Sequence, residues 1–114
     1  MSALYVMKYV GQAGGQGGMG GGAMYVGNGI ISGVDVGLGT YDGSYKEEFG
    51  RVRGSATMTI GLNGQLVTGQ TLPQGTKVPL QIDWPADFAD GKAQVVNVQG
   101  HPVHVTFEKL RDIP

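Results

Sequence analysis

Apolar and polar residues alternate along two stretches of the chain, 51–62 and 77–84. Successive side chains of a β-strand point to opposite faces, so this alternation predicts two strands with one buried face each. In the first stretch the buried positions would be Val52, Gly54, Ala56, Met58, Ile60 and Leu62. In the second they would be Val78, Leu80, Ile82 and Trp84. Pro79 cannot donate a ladder hydrogen bond, which places its strand at a sheet edge or a bulge.

Shorter apolar runs predict further strands at 3–10, 23–26, 30–31, 38–45, 92–99 and 102–110. The pairs Asn28-Gly29 and Asn63-Gly64 predict tight hairpins, because Asn-Gly tolerates the positive φ angles that such turns need. In the stretch 3–10 both faces carry apolar residues, so its buried face stays open. Between 85 and 91 a proline near the start and a glycine past the end predict one short helical turn.

About eight short strands with short connections predict an all-β, antiparallel, up-and-down eight-stranded barrel, formed as a single domain by residues 1–114. A two-sheet sandwich would show the same strand patterns and is the alternative. Sequential tight hairpins favour the barrel, and interior Gly43 and Gly54 would allow the strong coiling that closure requires. The expected core includes Met58, Ile60, Leu80, Ile82 and Phe107.

The composition narrows the class of protein. The 114 residues carry a net charge of −1 without a basic patch, which disfavours direct nucleic-acid binding. There are no cysteines, which excludes disulfides, cysteine zinc sites and a thiol nucleophile. The first ten residues lack the apolar core of a signal peptide, and no apolar run approaches the ~20 residues of a membrane helix. We therefore expect a soluble, cytoplasmic protein without membrane contact.

No motif indicates catalysis, a metal or a cofactor. Gly15, Gly17 and Gly20 match the spacing of a dinucleotide-binding loop, but that loop must open a helix, and a hairpin follows here. His101 and His104 lie three apart on a strand and would face opposite sides, so they are not expected to share a metal. Asp35 follows a turn glycine and is expected to accept backbone N–H groups.

The segment 20–45 resembles the GrlR-like family, the lipocalin-like negative regulators of type III secretion. The resemblance rests on five features: Leu4-Tyr5, the glycines before Met24-Tyr25-Val26, Asn28-Gly29, Gly33-x-Asp35 and Tyr41-x-Gly43-x-Tyr45. It implies a small eight-stranded barrel, often a homodimer, that binds another protein and is not an enzyme. In that family an acidic surface loop holds a transcriptional activator, and the comparable residues here are Glu47 and Glu48, with Phe49 beside them.

Two functions follow as expectations. The first is a regulatory or adaptor barrel, without a cofactor, that binds a protein partner such as a transcriptional regulator through the surface loop of Glu47, Glu48 and Phe49. The alternative is a carrier of a small apolar ligand such as a lipid. Its cavity would be lined by Tyr41, Tyr45, Met58, Ile60, Ile82 and Trp84. The same residues would fill an ordinary barrel core. An eight-stranded barrel lies at the boundary between filled and ligand-holding interiors, and a filled core is the favoured reading.

Overall fold

The computed structural model describes residues 2–11, 19–62, 66 and 71–114, and of Met19 only the backbone. Within these residues the chain forms strands and turns and no helix. The strands are β1 (Ser2–Gly11), β2 (Met19–Gly27), β3 (Ile30–Asp35), β4 (Thr40–Glu48), β5 (Arg51–Thr59), β6 (Lys77–Pro85), β7 (Gln94–Val98) and β8 (His101–Asp112).

All eight strands belong to one antiparallel sheet in the order β6-β5-β4-β3-β2-β1-β8-β7. The two edge strands, β6 and β7, approach each other without forming a paired ladder, so the sheet is a nearly closed barrel. This confirms the predicted up-and-down barrel over the sandwich. Pro79 lies on edge strand β6, as its missing N–H group requires.

Tight turns join the early strands. Asn28 and Gly29 both have positive φ, 52° and 77°, which confirms the first predicted hairpin. The predicted hairpin at 63–64 lies outside the described residues. Phe49 and Gly50 form a similar turn with φ of 52° and 74°. The sequence prediction of a surface loop at this point is wrong, because Glu47 and Glu48 continue strand β4 and pair with β5.

The interior is filled by the faces that the alternation predicts for β5 and β6. The inward residues Val52, Ala56, Met58, Ile60, Val78, Leu80, Ile82 and Trp84 are all buried. Phe107 on β8 is buried as well, so the five expected core residues are confirmed. Leu62 is the exception with 66% exposure, since β5 ends at Thr59 and the pattern no longer applies there.

Gly43 and Gly54 permit a close approach of β4 and β5. A Cβ atom at either glycine would collide with backbone atoms of the neighbouring strand. Ser55 and Ala56 stand opposite Gly43, and Ser44 and Tyr45 stand opposite Gly54. The strong coiling expected of these two positions therefore has a direct structural basis.

The segment between β6 and β7 crosses one end of the barrel. Instead of the expected helical turn it contains two successive turns, in which Phe88 N donates to Pro85 O (3.0 Å) and Asp90 N donates to Asp87 O (3.1 Å). Two contacts hold it in this path: Phe88 is buried in the barrel, and Asp90 forms a bridge to Glu108 on β8. The prediction of a helical turn is wrong because these tertiary contacts override a weak local preference.

Candidate functional site

The barrel has two structurally different ends, named here after the first and last residues of β1. The Ser2 end carries the hairpins at Asn28-Gly29 and Phe49-Gly50 and the segment with Phe88. The Gly11 end carries the turn from β3 to β4 and the turn at Gln99-Gly100. Antiparallel pairing of β1 with β2 and β8 sets this arrangement.

The Ser2 end is closed by four aromatic side chains, called here the aromatic floor: Tyr5, Trp84, Phe88 and Phe107. The Phe88 ring centroid lies 5.1 Å from that of Tyr5, 5.4 Å from that of Trp84 and 5.2 Å from that of Phe107. The tilted and edge-on angles between the rings are the arrangements that aromatic quadrupoles prefer. With Phe88 only 1% exposed, the floor is a packed plug.

Above the floor the barrel is hollow. A cavity of about 380 Å³ extends from Trp84 and Phe107 to the turns of the Gly11 end. Most of its wall is apolar; the wall includes Met7, Met24, Met58, Ile60, Leu80, Ile82, Val96, Val98, Val103 and Val105. The preference for a filled core is thus correct for the Ser2 end and wrong for the rest. The inward positions of four adjacent strands include Gly22, Gly33, Gly43 and Gly54, which contribute no side chain to the interior.

A carboxylate stands in the wall of this cavity near the Gly11 end. Asp35 Oδ1 accepts hydrogen bonds from the backbone N–H groups of Gly37 (3.0 Å) and Gly39 (2.8 Å). Its Oδ2 accepts one from the hydroxyl of Tyr41 at 2.8 Å. The expectation that Asp35 binds backbone N–H groups is confirmed. The three donors fix both oxygens, so the carboxylate has one orientation.

Two tyrosines complete this group, named here the Tyr-Asp-Tyr cluster (Tyr9, Asp35 and Tyr41). Burial is the largest cause that raises the pKa of Tyr9 to about 12, and the nearby charge of Asp35 acts in the same direction. Burial, with the nearby Tyr9 and Asp35, raises the pKa of Tyr41 still further. Both phenols therefore keep their protons at neutral pH and present hydroxyl groups and ring faces, not charges.

Two glycines provide the space that the cluster occupies. A Cβ atom at Gly20 would overlap the ring of Tyr9, which lies opposite it in the β1–β2 register. A Cβ atom at Gly39 would come within 2.7 Å of Asp35 Oδ2. At Gly37, by contrast, the nearest atom would be Asp35 Oδ1 at an ordinary 3.5 Å. The positions of Tyr9 and Asp35 thus depend on particular glycines.

The charge of the cavity wall is negative. Asp35 is the single ionisable side chain other than tyrosine among the described residues that line it. No Lys, Arg or His side chain of the described part of the chain lines the cavity or pairs with Asp35. The cavity therefore combines an apolar body with an uncompensated carboxylate near its Gly11 end.

The aromatic floor contains a buried donor without a partner among the described residues. Trp84 is 3% exposed, and none of the described residues offers a hydrogen-bond partner to its Nε1. Buried polar atoms almost always have such a partner, and a missing one costs about 1–3 kcal/mol. Other atoms of Trp84 contribute to the cavity wall, but Nε1 itself is enclosed in the packed aromatic floor.

Five of the six expected ligand-lining residues do line the cavity: Tyr41, Met58, Ile60, Ile82 and Trp84. Tyr45 is buried at the Ser2 end and does not belong to the wall. Sequence reasoning missed Tyr9 and did not place Asp35 in a cavity. A signal existed for Tyr9, which shares the face of Tyr5 and Met7 on β1. That face could not be chosen because Leu4 and Val6 on the other side are also apolar.

The residues expected to bind a partner lie at the Ser2 end, away from the cavity. Glu47 and Glu48 are exposed at the end of β4, and Phe49 in the adjoining turn is 94% exposed. Phe49 therefore does not pack into the barrel. It lies at the tip of the hairpin between β4 and β5, where its φ is 52°.

Neither a metal-binding cluster nor a membrane-spanning helix is found in the described part of the chain. Within the described ranges, no three or more His, Cys, Asp or Glu side chains are grouped so that they could hold a metal ion. His101 and His104 both lie on β8, and His104 is exposed. The described residues include no helix with the length and apolar character needed to cross a membrane.

Comparisons of this chain with models of protein families, with curated proteins and with solved structures find no match. The resemblance to the GrlR-like regulators therefore stays a prediction from the residues that carry it.

Proposed function

We propose that this protein binds a small, largely apolar molecule in the barrel cavity. The observation that carries the proposal is the cavity itself, about 380 Å³ of mostly apolar space above a packed aromatic floor. Small-molecule sites are typically cavities of ~300–1,000 Å³ with apolar walls and a few convergent polar groups. The Tyr-Asp-Tyr cluster supplies such polar groups. This is the function that the sequence favoured second.

The cavity volume limits the size of the ligand. At the ~30 Å³ that one water molecule takes up in the liquid, about 380 Å³ holds roughly a dozen non-hydrogen atoms. That is the size of a ten-carbon chain with a single polar head. A molecule with a long acyl chain would extend beyond the described cavity.

Exposed apolar residues surround the Gly11 end. Val36 belongs to the cavity wall and is 79% exposed, and Leu38 in the same turn is 57% exposed. Leu62 follows Gly61, whose backbone packs against Gly37 and Leu38, and it is exposed as well. Apolar side chains in water at this rim provide a favourable path for an apolar molecule that enters the barrel.

Binding can be tested with decan-1-ol, which has eleven non-hydrogen atoms. Trp84 is the single tryptophan and lies in the wall, so its emission reports on occupancy. We expect a saturable change in emission and a higher melting temperature, because a ligand that binds the folded state stabilises it. Ala56→Leu should weaken binding by adding volume inside the cavity, and Ser55→Leu, on the outer face of the same strand, is the matched control.

The proposal fails if decan-1-ol and the amine and acid of the same chain length all leave both emission and melting temperature unchanged at saturation. It also fails if Ala56→Leu and Ser55→Leu bind the alcohol equally well while both retain the far-ultraviolet circular dichroism of the native barrel.

Phe49 favours a second candidate function, the binding of a protein partner at the Ser2 end. A large apolar side chain that is 94% exposed at a hairpin tip, next to Glu47 and Glu48, is suited to contact a basic partner with an apolar pocket. Under this proposal the barrel acts as an adaptor or regulator, and a basic transcriptional activator is the partner that the family resemblance suggests.

The test of this second function is charge reversal. Glu47→Lys with Glu48→Lys should leave the melting temperature nearly unchanged, since exposed charges contribute little to stability. Capture of a basic partner from native extract should fall, and more so at low salt, where charges are less screened. Asp42→Lys with Glu108→Lys changes the net charge equally at other exposed positions and is the control. Equal capture by both double variants would contradict the candidate.

A further inference from the structure

The carboxylate in the cavity wall also bears on the charge of a ligand. Resting on the proposed cavity binding, we infer that the ligand is a small apolar amine whose protonated head lies against Asp35, between Tyr9 and Tyr41. The apolar part of the molecule then extends through the cavity toward Trp84 and Phe107.

The first argument is the unbalanced charge of Asp35. Three hydrogen bonds, from Gly37, Gly39 and Tyr41, hold its carboxylate in place, but none of these donors carries a positive charge. No cation of the described residues pairs with it. Charge–charge interactions strengthen as water is displaced from an apolar site, so a cationic head gains most from this position.

The second argument concerns the phenols. Burial keeps Tyr9 and Tyr41 protonated at neutral pH. Each then offers a hydroxyl oxygen that can accept an N–H bond and a ring whose face attracts a cation. A carboxylate flanked by two neutral aromatic rings is a chemical environment that suits an ammonium group.

The third argument excludes the opposite charge. A fatty acid would bring its carboxylate toward Asp35 at the Gly11 end or bury it beside the apolar wall at the other end. Both positions are unfavourable, because like charges repel and an unpaired buried ion loses its hydration. The cavity wall contains no described Lys, Arg or His side chain that could compensate.

Three probes with the same ten-carbon chain separate the possibilities: decylamine, decan-1-ol and decanoate, each below its aggregation limit at pH 7.5. Dissociation constants can be measured by calorimetry and by Trp84 emission. We expect decylamine to bind at least tenfold more tightly than decan-1-ol, and decanoate to bind most weakly. If the alcohol or the acid binds as tightly as the amine, the inference is overturned while cavity binding stands. If no probe binds, the proposed function itself fails.

Variants locate the effect. Asp35→Asn keeps the shape of the side chain and removes its charge, so it should reduce decylamine affinity at least tenfold and change decan-1-ol affinity less than twofold. Asp42→Asn removes an exposed carboxylate from the outer face of β4 and should change neither. An unchanged preference for the amine in Asp35→Asn would overturn the inference.

Salt provides a second test that needs no variant, should Asp35→Asn fail to fold. An ion pair within the cavity is screened much less than an attraction between exposed charges. The preference of the native protein for decylamine over decan-1-ol should therefore persist from 50 to 500 mM salt, a range we choose to span the screening regime. A preference that disappears at the higher salt concentration would show that surface charge, not Asp35, attracts the amine.

Discussion

The hydroxyl of Tyr41 donates a 2.8 Å hydrogen bond to Oδ2 of Asp35, and this bond joins strand β4 to the last residue of strand β3. Asp35 Oδ1 meanwhile accepts the backbone N–H groups of Gly37 and Gly39 within the turn between these strands. The side chain that organises the turn is thus the same one that gives the cavity its charge. A change in either residue should affect both local stability and binding.

Removal of the Tyr41 hydroxyl should destabilise the barrel. Tyr41→Phe keeps the ring but deletes a hydrogen bond to a charged group, a type worth about 1.5–3 kcal/mol. We expect a loss of that order in the free energy of unfolding, measured by urea denaturation. Tyr25→Phe, which removes a hydroxyl bonded to Ser2 and Asn28 on the outer face, is the control and should lose less. Equal losses would show that the Asp35 bond has no special weight.

The two glycines of the β3–β4 turn should respond differently to a methyl group. In Gly39→Ala the new Cβ would come within 2.7 Å of Asp35 Oδ2, so the carboxylate must move. In Gly37→Ala the closest approach is an ordinary 3.5 Å. We expect Gly39→Ala to lower the melting temperature and to weaken decylamine binding, and Gly37→Ala to do neither. Similar behaviour of the two variants would contradict the described position of Asp35.

Truncations should separate the packed and hollow parts of the barrel. Phe88→Ala opens the aromatic floor and should cost about 3–5 kcal/mol. Ile60→Ala should fall toward the lower part of the ~2–5 kcal/mol range, because one side of Ile60 already borders the cavity. Leu110→Ala, at an exposed position, should cost less than about 0.5 kcal/mol. Urea denaturation measures all three, and a cost for Ile60→Ala above that of Phe88→Ala would contradict this division.

As pH rises, the protein should begin to lose stability at a lower pH than the one at which its buried phenols ionise in the folded state. Unfolded tyrosines titrate near pH 10, whereas the folded pKa of Tyr9 is about 12 and burial also raises the pKa of Tyr41, Tyr5 and Tyr45. Their contribution to stability is complete below pH 10 and is lost as pH rises through the folded values. Lys109, whose pKa is raised by Asp112, acts in the same direction.

The measurement is the melting temperature by circular dichroism from pH 8 to 11. It should decline above about pH 10. Tyr9→Phe with Tyr41→Phe removes two of the responsible groups, so its decline relative to its own value at pH 8 should be shallower. A native melting temperature that stays constant up to pH 11 would contradict the raised pKa values.

The predictable part of this fold is the part that local pattern encodes. Alternation identified the buried faces of β5 and β6, and Asn28-Gly29 identified a hairpin, because both depend on neighbouring residues alone. The face of β1 was not decided, since Tyr5 and Met7 compete with Leu4 and Val6 in the sequence. Tyr9 was missed for that reason. The closure of the Ser2 end depends on Phe88 meeting Tyr5 and Phe107, residues far apart in the chain, which no local pattern reports.

The aromatic floor has a kinetic consequence. Because Phe88 and its neighbours plug the Ser2 end, the interior is a blind pocket, and a molecule held there must leave through the same end by which it entered. A second molecule cannot push the first one through. Exchange of cargo would then be strictly sequential, with release before reloading, and any donor or recipient of that cargo would have to meet the barrel at the Gly11 end. The hairpin tip at Phe49, on the opposite end, would remain accessible throughout such an exchange.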